Sequence, residues 1–216
     1  MIHTLVRENG IVVVMRGTVG CGKSYLSIML RDAIMRKGGY CVVANTSKYL
    51  NLGLSVDDAR KKVQNDLLTV NRIPQDKQVV VIIDSTDQKF NKKTTYFFDI
   101  NFDNWVYYTL FPSFNKNNKE GYLKWSLMNV LQRRECVEGD TYVTNPITYS
   151  LRNCLTTHHN ISRQLFGKNT VKCMKDVYAS KYITEAVEKL AYEAASYALD
   201  VERINEKIVV SFLNEI

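Results

Sequence analysis

The chain has 216 residues, 45% of them apolar and 24% charged, a balance that excludes a disordered, collagen-like or simple coiled-coil polypeptide. Lys and Arg number 29 against 22 Asp and Glu, a net charge of +7, which favours polyanionic partners such as nucleic acid or nucleotides. No apolar run approaches the roughly 20 residues that span a bilayer, and MIHTLVRENG lacks a secretory apolar stretch, so a cytoplasmic protein without a membrane partner is expected. Five scattered cysteines, none in a C-x-x-C pair, predict reduced thiols. The length suits one domain over 1–216.

In chain order, the continuous apolar run Ile11 to Arg16 predicts a strand buried on both faces of a parallel sheet. A glycine-rich turn follows. Ser24 to Lys37 has apolar residues at helical spacing and ends at Gly38-Gly39. Tyr40 to Ala44 predicts a second strand, Val56 to Val70 a helix, Val79 to Ile83 a third strand and Trp105 to Leu110 a fourth. The alternation predicts an α/β fold with a mostly parallel sheet flanked by helices. Tyr122 to Arg134 and Ile147 to Leu165 predict two helices joined by a long loop, Glu135 to Asn145. Thr170 to Met174 predicts a short fifth strand. A helical segment over about 180–216 is expected to break near Ser196 or Asp200.

Gly17, Thr18, Val19, Gly20, Cys21, Gly22, Lys23 and Ser24 match G-x-x-x-x-G-K-[ST] between a predicted strand and a predicted helix, the context its mechanism requires. Glycines let successive amide groups turn toward a phosphate, and the helix start adds its dipole. The pattern predicts ATP or GTP binding, with Lys23 on the β- and γ-phosphates and Ser24 on Mg²⁺. Asp84 closes the third strand where a parallel sheet holds a metal-binding carboxylate, with Asp87 as the second choice. The helix start also favours thiolate at Cys21, predicting sensitivity to oxidation. Lys92-Lys93 beside Tyr96, Phe97 and Phe98 reads either as a single-strand binding surface or as core aromatics beside solvated lysines.

The loop specifies a nucleotide rather than a reaction. No NKxD base-specificity motif is present, and the length fits a small kinase with a helical lid near 116–166. Arg133 or Arg134, with Arg152 and Arg163 on the next helix, would stabilise charge spreading over the γ-phosphoryl. Residues GTVGCGKS, VVVIIDSTDQ and VLQRRECVEG…VTNPITYSLRNCL resemble the kinase module of polynucleotide 5′-hydroxyl kinases and of the fungal-type tRNA ligase kinase domain. The resemblance covers most of residues 9–167. It implies a P-loop kinase that phosphorylates a nucleic-acid 5′-hydroxyl from a purine nucleoside triphosphate with Mg²⁺, with Lys23, Ser24 and Arg133 or Arg134 carried over. That family has a catalytic aspartate just after the second strand, where this chain has Asn45-Thr46-Ser47-Lys48-Tyr49. Asp57 or Asp58 would then be the base, or the acidic first turn of the next helix. The alternatives are a nucleoside or nucleoside monophosphate kinase, and an NTP-binding regulatory or assembly protein.

Overall fold

The computed structural model describes residues 2–84, 96–132, 136–137 and 149–216, the side chains of Tyr96, Cys136, Val137 and Tyr149 excepted. They form two compact units: Met1–Arg16, Lys23–Leu110 and Val209–Ile216 make the first, Gly17–Gly22 and Phe111–Ile208 the second.

The first unit is built on its two aliphatic runs. Every residue of β2 (Gly10–Met15) and β4 (Val79–Ile83) is buried, which requires cover on both faces because successive side chains point oppositely. The two strands pair in the middle of an all-parallel sheet, with β3 (Tyr40–Ala44) beyond β4 and β7 (Val106–Leu110) beyond β2. From β2 the chain crosses through α1 (Lys23–Arg36) to the outer strand β3. It returns to β4 through α2 (Thr46–Leu50), α3 (Val56–Leu68) and a 3-10 turn at Thr69–Arg72. α1 buries Leu26, Leu30, Ala33 and Ile34, and α3 buries Ala59, Val63 and Leu67, the stripes a helical period provides. The α/β expectation holds, with these strands within a residue of their predicted bounds.

A second, three-stranded sheet was not foreseen. β1 (His3–Val6) pairs parallel with β6 (Ile100–Asp103), and β5 (Tyr96–Phe97) closes a hairpin on β6 through Phe98 and Asp99, both at positive φ. Phe97 is 5% exposed and packs with Phe102, so this aromatic belongs to the core; Lys92 and Lys93 lie outside the described residues. Beyond β1, Arg7 is buried and donates to the carbonyls of Val70, Ile73, Pro74 and Lys77, satisfying a turn that no regular element covers.

The second unit comprises α4 (Lys119–Gln132), the paired β8 (Cys136–Val137) and β9 (Tyr149–Ser150), α5 (Leu151–Phe166), a 3-10 helix, α6 (Lys175–Tyr178) and most of α7 (Ile183–Glu215). Its core gathers Tyr122, Leu123, Leu127, Leu155, Met174 and Leu190. His158 is a core residue too: its ring meets Ser126 Oγ at 2.9 Å and Tyr178 Oη at 2.9 Å.

Three expectations are corrected here. Thr170–Met174 is a 3-10 helix rather than a fifth strand, because its buried residues Val171 and Met174 recur every three positions. α7 runs 33 residues without the expected break: Ser196 is exposed, and Asp200 pairs with Arg203 one turn on, so neither interrupts the backbone ladder. Cys154 is disulfide-bonded, whereas Cys21, Cys41 and Cys173 are thiols, a distinction that cysteine spacing alone does not carry. Among the described residues no helix is long and apolar enough to cross a membrane.

Candidate functional site

The loop after β2 has the backbone its glycines predict. Gly17, Gly20 and Gly22 have φ of +153°, +78° and +84°, values that favour glycine. Steric room matters as much: a Cβ on Gly20 would lie 2.1 Å from the Ser126 carbonyl oxygen, and one on Gly17 2.4 Å from Cys21 Sγ. Within the second unit α4 braces this loop. Tyr122 Oη receives the Thr18 amide at 3.1 Å and the Thr18 hydroxyl at 3.3 Å, while Asn129 donates to the Gly20 carbonyl at 2.9 Å. Burial holds the Tyr122 phenol well above its usual range, so it stays protonated. Cys21 is completely buried, which removes the access that oxidation of its thiol requires.

The loop's geometry makes a direct prediction. Gly20→Ala should destabilise the protein by at least about 2 kcal/mol through dihedral strain and the carbonyl clash. Gly167→Ala is the control: Gly167 has φ +83° with nothing within 4 Å of its Cβ position, so only the strain applies. Urea midpoints should fall further for Gly20→Ala.

The loop continues into α1, whose first two residues are Lys23 and Ser24. Lys23 is 8% exposed, so it is an inward group rather than a surface lysine. Within the first unit, the carboxyl ends of β3 and β4 bring two further groups to Ser24. The Asp84 amide donates to the Ala44 carbonyl, setting the end of β4 beside the end of β3. The Asn45 side chain then donates to Asp84 Oδ2 at 2.6 Å and to Ser24 Oγ at 3.4 Å. Its own carbonyl caps α2 through the Lys48 amide. Asp84 is 5% exposed; burial raises its carboxyl above the ordinary value, opposed by Ser24, Lys23 and Asn45. Hydroxyl and carboxylate oxygens of this kind suit a hard cation such as Mg²⁺, and a divalent charge would offset the burial of an ionised Asp84.

A cavity of about 460 Å³ opens beside this cluster, lined among others by Ser24, Asn45, Lys48, Asp66 and Asp84. Asp66, on α3, accepts a hydrogen bond from the Tyr49 hydroxyl, which raises the Tyr49 phenol to about 12. Sequence reasoning missed both Asn45 and Asp66. Asn45 stands out in the sequence only as a departure from a family pattern, and Asp66 reaches the cavity because α3 packs against β3, which linear spacing does not show.

The expected base, Asp58, lies elsewhere. It is in the exposed first turn of α3, where the Ser55 hydroxyl donates to its carboxylate at 2.7 Å and accepts from its amide at 3.2 Å. That is a helix cap. Neither Asp57 nor Asp58 lines the cavity. Arg133, Arg134 and Asp87 lie outside the described residues. Arg152 and Arg163 stand in the first and last turns of α5.

Comparison with known proteins yields no matching family model and no matching solved structure. The chain is 34% identical over 188 residues, 87% of its length, to an uncharacterized protein of Acanthamoeba polyphaga mimivirus. It spans 19% of that protein, about a fifth of the relative's length.

Proposed function

We propose that the chain is a Mg²⁺-dependent P-loop phosphotransferase that moves the γ-phosphoryl of ATP or GTP to a nucleic-acid 5′-hydroxyl. The observation that carries this reading is the Ser24, Asn45 and Asp84 cluster, directly after a G-x-x-x-x-G-K-S loop with glycine-only dihedrals. Strand order supports it: β2 and β4 are neighbours, yet the chain leaves them toward opposite edges of the sheet, and ligands of open α/β sheets bind where that divergence occurs.

On this reading the loop amides hold the β-phosphate and the Lys23 ammonium meets charge developing between β- and γ-phosphates. Ser24 and Asp84 hold Mg²⁺, which when bound neutralises phosphate charge. Asp66 takes the proton from the acceptor hydroxyl, because it is the carboxylate that shares a cavity with Ser24 and Asp84, and Tyr49 orients it. Arg133 or Arg134 remains the proposed lid arginine.

Transfer of labelled γ-phosphate, offered to 5′-hydroxyl oligonucleotides, mononucleotides and water, tests the reading. Label on oligonucleotides is the expected result. Label on mononucleotides alone would replace it with a nucleotide kinase, and hydrolysis without an acceptor with an NTP-driven switch. Asp66→Asn should lower kcat by about 100-fold or more, the scale of a lost general base, without changing the thermal shift given by MgATP. Asp58→Asn should change kcat by less than about twofold, since removing a charge from a capped first turn touches stability rather than chemistry.

A further inference from the structure

The second unit carries a concave basic surface that the proposed chemistry does not use. A cavity of about 660 Å³ between α5, the following 3-10 helix and α6 is lined by Arg163, Lys168, Lys172 and Lys175. A second cavity, of about 370 Å³, shares Leu155, Thr156 and Tyr178 with the first and adds Arg152 and Lys181. No acidic residue lines either. The one acid between Arg163 and Lys181, Asp176, is absent from both.

These six cations also differ from Lys124 and Lys189 of the same unit. Lys124 is held by Glu120 and Glu193 at 2.7 Å each, and Lys189 by Glu185 at 2.7 Å. Among the described residues none of the six has an ion-pair partner. Six like charges lining two cavities that share residues repel one another and destabilise the apo-protein, so the arrangement fits a surface completed by a polyanion. The shape narrows the class further. Two adjoining compartments exceed what one phosphate fills, and they share Leu155, Thr156 and Tyr178, with His159 edge-on to the Tyr178 ring at 4.9 Å. Cations spaced along a groove with aromatic side chains, Tyr178 and His159, in its lining are the chemistry of single-stranded nucleic acid, whose phosphates take the cations and whose bases meet the rings.

We infer that the groove formed by α5, α6 and the intervening 3-10 helix binds a single-stranded nucleic acid, with Arg152, Arg163, Lys168, Lys172, Lys175 and Lys181 on its phosphates. The inference rests on the proposed function only for the class of its ligand, and its test reads binding alone.

Fluorescence anisotropy of a labelled single-stranded oligonucleotide of mixed sequence should show affinity falling linearly on logarithmic axes with salt. The slope is about −0.7 per phosphate contacted, hence roughly −4 if each of the six cations meets one phosphate. Lys172→Glu with Lys175→Glu should weaken binding by more than about tenfold and make the slope shallower. Lys61→Glu with Lys62→Glu, the same charge change on exposed positions of α3, should stay within about twofold of wild type. If the reversal variant does not fold, Lys172→Ala with Lys175→Ala is read in its place. Equal losses in both double variants, no binding at low salt, or equal affinity for inorganic phosphate would overturn the inference. So would selective binding to anionic lipid vesicles. Thermal stabilisation by MgATP reports the nucleotide site separately: its loss in wild type with oligonucleotide binding intact would remove the proposed function and leave this groove standing.

Discussion

Lys23→Ala is expected to lower nucleoside triphosphate turnover by more than about 100-fold, equivalent to about 2.7 kcal/mol of transition-state stabilisation. The size follows from where the charge is needed. Phosphoryl transfer moves negative charge onto the oxygens between the β- and γ-phosphates, and a preorganised ammonium meets it without reorganisation. Lys23 is the first residue of α1 and 8% exposed, so water cannot readily replace it. The same burial gives the substitution a second effect: Lys23 lowers the raised carboxyl of Asp84, and its loss leaves that carboxylate with less compensation. Lys23→Ala should therefore also lower the apo-protein's Tm. Lys23→Met, which keeps an apolar stem in the same space, separates lost packing from lost charge. Both variants should lose turnover alike. Turnover at the wild-type rate in either folded variant would remove the nucleotide reading.

The legible part of the fold is the part written in short-range pattern. The runs at β2, β3 and β4 and the glycine loop each carry their own signal, and their neighbours in the sheet confirm them. β1 was illegible because a four-residue strand with one fully buried residue, Leu5, becomes a strand only by pairing with Ile100–Asp103, far along the chain. The turn at Phe98-Asp99 lacked a glycine to announce its positive φ. In the candidate site, the residues of the glycine-loop motif were legible from spacing, whereas those meeting them from other elements were not. Ser24 and Asp84 could be named, but the Asn45 amide joining them could not. Asp58 illustrates the converse: an acid near a helix start satisfies both a cap and a catalytic expectation, and the hydrogen bond from Ser55 shows which one its geometry serves.

Asp84→Asn should move stability and metal response in opposite directions. Burial raises the Asp84 carboxyl, so the folded state binds its proton more readily than the unfolded chain does. For a raised acid, folding stability is highest at low pH, where both states are protonated, and declines as pH rises through the carboxyl range. At neutral pH the ionised group therefore weakens the apo-protein. A neutral amide removes that cost, and its oxygen can still accept from Asn45. Without Mg²⁺, Asp84→Asn should raise Tm by about 2–4 °C at neutral pH, the shift that about 1 kcal/mol gives a chain of this size. The difference should shrink on acidification. With Mg²⁺ and nucleotide the order should reverse, because wild type gains binding free energy through a carboxylate the variant lacks. Thermal unfolding at two pH values, with and without MgATP, reads all of this. A variant that melts below wild type without Mg²⁺ and responds equally to MgATP would make Asp84 a structural acceptor for Asn45 and move the metal to another group.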